Sequence, residues 1–235
     1  MGRAKEIRVK VIPSKVAIPF VKKHHYSGRV VSNSQLHFGA FLDNKLHGVM
    51  SFGPSLDKRK TQALVKGTGW NAFLELNRMA FDAALPKNSE SRCISVALKL
   101  LKKYAPHIKW VVSFADATQC GDGAIYRASG FILTQINKNK TIWQAPDGKT
   151  YSDLSLRKGV LAKNGAITGM ALPRSIKGAS SMSVFKEAGF KPLEGFQLRY
   201  VYFLDKSTRK NLTCAEIPFS KIAEVGASMY KGEKY

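Results

Sequence analysis

Residues 89–105 constrain the fold more tightly than any other stretch of this chain. Ile94, Ala97, Leu98 and Leu101, continued by Tyr104, recur at the spacing of one helix face. Ser89 or Ser91 can cap the start. Lys99, Lys102 and Lys103 suit the negative end of the helix dipole, and Pro106 follows. A strand-like run lies on each side, FLELNRMAF at 73–81 and WVVSFAD at 110–116. A helix with one apolar stripe between two apolar strands must lay that stripe on a sheet, so the chain is built as strands covered by helices.

The remaining order fits such a sheet. Residues 7–12 (IRVKVI) alternate like a short strand, and Pro13 and Ser14 open a helical stretch interrupted by Pro19. Residues 36–42 and 46–52 read as a hairpin around Asp43-Asn44. The loop 53–72 carries Lys58, Arg59, Lys60 and Lys66. After Asp116 come a loop, a short helix with Tyr126 and a turn through Gly130. Strands near 131–136 and 141–145 follow, joined by a turn at Asn137–Lys140, and 196–204 returns to a strand. The prediction is an α/β chain of α+β type with a mixed sheet. Residues 1–151 form the core, 152–195 a basic insertion or subdomain, and 196–235 a C-terminal strand and helix packing back on the core.

Charge narrows the partners. Lys and Arg number 38 against 16 Asp and Glu, a net charge of +22 spread along the whole length rather than gathered in a tail. A positive folded body attracts polyanions, of which nucleic acid is the commonest inside a cell. Lys58, Arg59 and Lys60 in one loop, and Arg157 and Lys158 in the Gly- and Ser-rich segment, are candidate DNA contacts. No apolar run approaches the ~20 residues of a membrane span. The basic start leads into no secretory stretch, so a cytoplasmic protein is expected. Cys93, Cys120 and Cys214 are too few and too scattered for a disulfide framework or a zinc site.

The strand before the central helix, the helix, and the strand ending in Asp116, with Tyr126 and Gly130-Phe131 beyond, resemble the GNAT acyltransferase fold. In that fold the two strands splay, the pantetheine of an acyl-CoA lies in the gap, and its pyrophosphate sits on the helix N-terminus. The resemblance implies acetyl-CoA or another activated acyl or glycyl donor, with Asn88, Ser89, Ser91 and Arg92 at the phosphate-binding turn. The chain departs from the family there: it lacks the usual spaced glycines and carries Glu90 instead.

A wider set of segments resembles the Mom DNA-modification proteins of Mu-like bacteriophages. They are HHYSGR (24–29), ELNRMAF (75–81), FADATQCGDGAIYRASGF (114–131), GFQLRYVYFL (195–204) and PFSKIAEVGASMYKG (218–232). That resemblance implies an enzyme that places a carbamoylmethyl group on the exocyclic amine of adenine in double-stranded DNA, hiding it from restriction enzymes. It also implies functional roles for His25, Tyr26, Asp116 and Tyr126, and a bound iron, for which His25 and Asp116 are the available ligands.

The residues themselves support a site. His24, His25 and Tyr26 end the first helix, where three adjacent polar rings seldom serve a core. A neutral imidazole there can accept a proton or bind a metal. Asp116 closes a central strand at its C-terminal end, where α/β sheets place chemistry, although it can also cap the next turn. Tyr126 suits protonation of a leaving group or plain packing. Glu75 and Asn77, two apart on one strand, share a face that is either cleft or surface. Two other functions suit these features: an N-acyltransferase acting on protein or small-molecule amines, and a DNA-binding protein without catalysis.

Overall fold

The computed structural model describes residues 3–153, 156, 166–167, 170–171, 181–230 and 233–234. Helix α1 spans Ser14–His24, α2 Lys58–Gln62, α3 Ser89–Tyr104 and α4 Ala124–Ala128. The strands are β1 (Arg8–Ile12), β2 (Leu36–Leu42), β3 (Lys45–Gly53), β4 (Phe73–Phe81), β5 (Trp110–Asp116), β6 (Ile132–Lys138), β7 (Ile142–Gln144) and β8 (Thr150–Ser152). They continue with β9 (Ala166–Ile167), β10 (Met170–Ala171), β11 (Lys191–Pro192), β12 (Phe196–Phe203), β13 (Met229–Tyr230) and β14 (Glu233–Lys234).

Seven strands form the main sheet in the order β1-β2-β3-β4-β5-β12-β6, antiparallel except for the parallel pair β4–β5. The mixed α/β sheet expected from the strand–helix–strand unit is therefore present. The β2–β3 hairpin turns on Asp43 and Asn44, both in the left-handed region (φ 50° and 62°), the two-residue geometry that matches strand twist.

Helix α3 buries Cys93, Ile94, Ala97, Leu98 and Leu101 on one face of the sheet, against Phe38, Met50, Phe52, Leu76, Val111 and Ala115. Alternate residues of the same strands face the other way. There Val49 and Ala80 meet Ala17 and Val21 of α1, while Phe73 stacks on Trp110 beside Leu64 and Val65. Burial of each large apolar side chain contributes about 1.5–3 kcal/mol, so the two layers are anchored from both sides.

Several expectations change. Tyr104 is 71% exposed: the last turn of α3 drifts off the apolar stripe, and its ring lies under Lys103 instead. Pro19 does not interrupt α1, which continues through it at the loss of one backbone hydrogen bond. The strand at 142–144 does not pair with β6 but joins β8 and β11 in a separate three-stranded sheet. Arg157, Lys158 and most of the basic segment between β8 and β11 lie outside the described residues.

Candidate active site

The parallel pair opens partway along. β4 and β5 are in register only from Phe73–Trp110 to Leu76–Ser113. Beyond that point each keeps its outer neighbour: β4 stays on β3 as far as Phe81, and β5 stays on β12 as far as Asp116. The inner edges therefore part. The register slips between Ser51 and Phe52 of β3, which leaves Asn77 of β4 without an opposite residue, a β-bulge. Bulges bend a strand and re-aim its side chains.

A cavity of about 480 Å³ fills the gap. The α1 side of the sheet contributes His25, Tyr26, Asn77, Phe114 and Asp116. Ala115 and Tyr126 belong to the α3 side. The chain terminus adds Met229 and Tyr230, which lie along Gly121 and Asp122. Gly123 opens α4 at the cavity wall with φ +87°, and a Cβ there would lie 2.4 Å from the Tyr200 ring, so only glycine fits.

His25 and Tyr26 follow the last turn of α1, where the His25 N–H caps the Val21 carbonyl. His24 turns away and stacks on Phe20. The Tyr26 hydroxyl donates to Asp116 Oδ2 at 3.3 Å, joining residues ninety positions apart. The other oxygen, Oδ1, accepts from the Thr118 N–H, the Thr118 hydroxyl and the Gln197 amide. Asp116, 9% exposed, is thus a fixed acceptor at the floor of the cavity. Burial, and next the nearby Asp116 charge, push the Tyr26 phenol far above its ordinary value, so it stays protonated and donates.

The backbone N–H of Ser27 donates to His25 Nδ1 at 3.1 Å, and the Ser27 hydroxyl lies 2.8 Å from the same nitrogen. Burial, then the adjacent Arg78 guanidinium, lowers the His25 pKa to about 4. The ring is neutral at pH 7. With Nδ1 accepting an N–H, its proton sits on Nε2. In this tautomer His25 offers its Nε2–H as a hydrogen-bond donor.

Tyr126 is 7% exposed, packed against Phe131 and Tyr200 and hydrogen-bonded to Ser113. Burial pushes its phenol up to about 12. Asn77 reaches the cavity, and Glu75 is hydrogen-bonded to Ser55, its carboxyl raised by burial. Arg78 also lines the cavity, donating to the carbonyls of Arg29 and Asn77. Sequence reasoning singled out neither Arg78, Phe114 nor the terminal Met229-Tyr230. The local signal for Phe114 is an aromatic beside Asp116 in an otherwise buried strand.

The turn before α3 differs from expectation. Asn88 adopts a left-handed conformation (φ 68°) with no side-chain cap. Ser89 is fully buried and its hydroxyl donates to the Pro86 carbonyl; Ser91 donates to Asn88 and Arg92 to Lys5. Each of these three side chains thus donates one hydrogen bond to a carbonyl of the protein, while Arg92 Nε has no partner.

The iron implied by the resemblance does not fit this donor set. Among the described residues no three His, Cys, Asp or Glu side chains gather. A metal on His25 Nε2 would need the ring proton on Nδ1, facing the Ser27 N–H. Asp116 is already held by four donors, and open iron sites commonly need two His and a carboxylate.

Of the predicted DNA contacts, Arg59 and Lys60 are exposed on α2. Lys58 instead lies 4.5 Å above the Trp70 ring and donates to Asn71.

A mixed sheet parted at its parallel pair, with a cavity in the opening, defines a GNAT-like fold. Solved structures similar to this chain are acetyltransferases. One is the ribosomal-protein-S18-alanine N-acetyltransferase from Escherichia coli, with 10% identity, 84% of this chain and 94% of that chain covered, and a TM-score of 0.44. Another is a Bacillus subtilis acetyltransferase in complex with CoA, with 11% identity, 84% and 98% covered, and a TM-score of 0.43. The model of the Mom protein family matches residues 6–221, and the chain belongs to that family. A relative, the methylcarbamoylase mom of Escherichia phage Mu, is 35% identical over 210 residues, covering 89% of this chain and 80% of that protein.

Proposed function

We propose that this chain is a transferase that places a carbamoylmethyl group on the exocyclic amine of adenine in double-stranded DNA, protecting phage DNA from restriction. The observation that carries this reading is the kinship, over 89% of the chain, with a methylcarbamoylase. The two-sided cavity supports it. The base enters from the α1 side, against Tyr26 and Asp116. The donor, an activated acyl or glycyl group on a CoA-type carrier, approaches between the parted edges of β4 and β5.

The residues then divide the work. Asp116 Oδ2 accepts a proton from the adenine N6 as it attacks the carbonyl of a glycyl thioester; the carrier thiolate leaves, and the resulting glycyl amide, an isomer of the carbamoylmethyl group, becomes the product when its two nitrogens exchange carbons. The Tyr26 hydroxyl holds that oxygen in place, and Thr118 and Gln197 fix the other. Neutral His25 donates to an acceptor on the substrate, and its low pKa keeps it a donor without charge throughout the physiological range. Tyr126, protonated at pH 7, supplies a proton on the α3 side to the departing group. The net charge of +22, with Arg59 and Lys60 exposed, attracts the phosphate backbone.

Mass spectrometry of nucleosides from the DNA of cells expressing the chain tests the reading. A carbamoylmethyl adduct of deoxyadenosine is the expected product. Unmodified DNA together with acylated protein or polyamine would replace this reading with an ordinary N-acyltransferase.

A further inference from the structure

Asn77 is the residue at this cavity whose chemistry the roles above leave unused. It is 8% exposed, and its Oδ1 accepts from the Ser34 hydroxyl at 2.8 Å. Its Nδ2 has no hydrogen-bond partner. Two other buried side-chain atoms among the described residues share that condition, Asn33 Oδ1 and Arg92 Nε, and neither residue lines the cavity. A buried amide N–H without an acceptor costs about 1–3 kcal/mol, so a fold keeps one where a ligand supplies the acceptor.

The position is specific. Asn77 and Phe114 are the first residues beyond the last paired positions, Leu76 and Ser113, on facing strands. Phe114 is 44% exposed although its strand is otherwise buried, so a large ring face is left open beside the amide. Asn77 is also the residue that the β-bulge leaves without an opposite on β3. An aromatic face next to one fixed in-plane donor suits a flat heterocycle carrying a ring acceptor. An enzyme that modifies a base must also take that base out of the duplex stack.

We propose that Asn77 reads the target base: Nδ2 donates to a ring nitrogen of an adenine turned out of the helix, with Phe114 lying against its face. This assignment rests on the adenine-modifying reading. Ser34 fixes the amide so that the donor, not the carbonyl, meets the base.

The test is a binding titration that needs no donor molecule. Fluorescence anisotropy would measure affinity for a duplex with a single adenine opposite an abasic site, and for the same duplex carrying 1-deaza-, 3-deaza- or 7-deazaadenine. Wild-type protein should bind one of the three analogues about ten- to hundredfold more weakly than adenine, the loss expected for one unmet buried donor. Asn77→Asp keeps an acceptor for Ser34 and removes the donor, and should bind all four duplexes alike. If Asn77→Asp keeps the wild-type preference, the assignment is overturned. It is overturned equally if the wild type, which needs no substitution to be tested, shows no preference among the four. Nucleoside analysis of DNA from cells expressing the wild type separates the two levels: an adduct with no ring-nitrogen preference removes Asn77 alone, whereas no adduct removes the parent reading and this assignment with it.

Discussion

His25 gives the sharpest test of the site's electrostatics, because its ring must stay neutral to sit where it does. Its pKa falls to about 4 through burial and the Arg78 charge, against about 6.5 for an exposed histidine in the unfolded chain. The unfolded state therefore binds the proton more tightly. The stability contributed by the neutral ring is fully present above pH 6.5 and is lost as pH falls from about 6.5 toward about 4. At pH 5 the unfolded histidine is almost wholly protonated and the folded one barely so, which amounts to about 2 kcal/mol for this one residue. For a chain of this size that lowers the melting temperature by about 4–8 °C. His25→Asn supplies the control. Its side-chain oxygen can take the place of Nδ1 and accept the Ser27 N–H, but it does not titrate. Thermal unfolding followed by circular dichroism at pH 7.5 and pH 5 should show wild type losing that much more than His25→Asn. Equal losses in the two proteins would refute both the half-buried neutral ring and the tautomer derived from it.

Tyr26→Phe and Asp116→Asn should each lower the initial rate of adenine modification by about 10²–10⁴-fold while leaving duplex binding intact, as read by timed nucleoside analysis and a gel-shift titration. Duplex affinity should fall ~10³–10⁵-fold between 50 and 200 mM salt if ~6–10 phosphates are contacted; a flat response in that titration would count against a phosphate-tracking surface. Arg59→Ala with Lys60→Ala should weaken DNA binding with almost no change in melting temperature. Lys58→Ala should also cost about 0.5–1 kcal/mol of stability, visible in the same melts, because it removes the contact with Trp70.

Much of the frame was legible because it is local. The 3.6-residue recurrence from Ile94 to Leu101 marks α3, Asp43-Asn44 marks its hairpin, and the apolar run into Asp116 marks β5. The meeting of Tyr26 with Asp116 was also within reach, since each ends an element at the edge of the same sheet. What stayed hidden is non-local or conformational. No periodicity reports the missing opposite residue at Asn77. Nothing in Ser89, Ser91 or Arg92 announces that their polar groups turn back onto the carbonyls of Pro86, Asn88 and Lys5. The seat of Met229 and Tyr230 on Gly121 and Asp122 depends on the chain returning across a hundred residues.

The insertion of β12 between β5 and β6 sets the order in which this protein can mature. β5 and β6 are near neighbours in sequence, yet β6 has no partner in this sheet, and β5 only β4, until Phe196–Phe203 has been synthesised. Until then both offer open hydrogen-bonding edges, and the nascent chain is most exposed to mispairing while the basic segment is still emerging from the ribosome. Gln197, which fixes Asp116, arrives on the same late strand, so the acceptor carboxylate and the sheet are completed together. A partly made chain would carry the positive charge that draws it to DNA well before it carries a finished site.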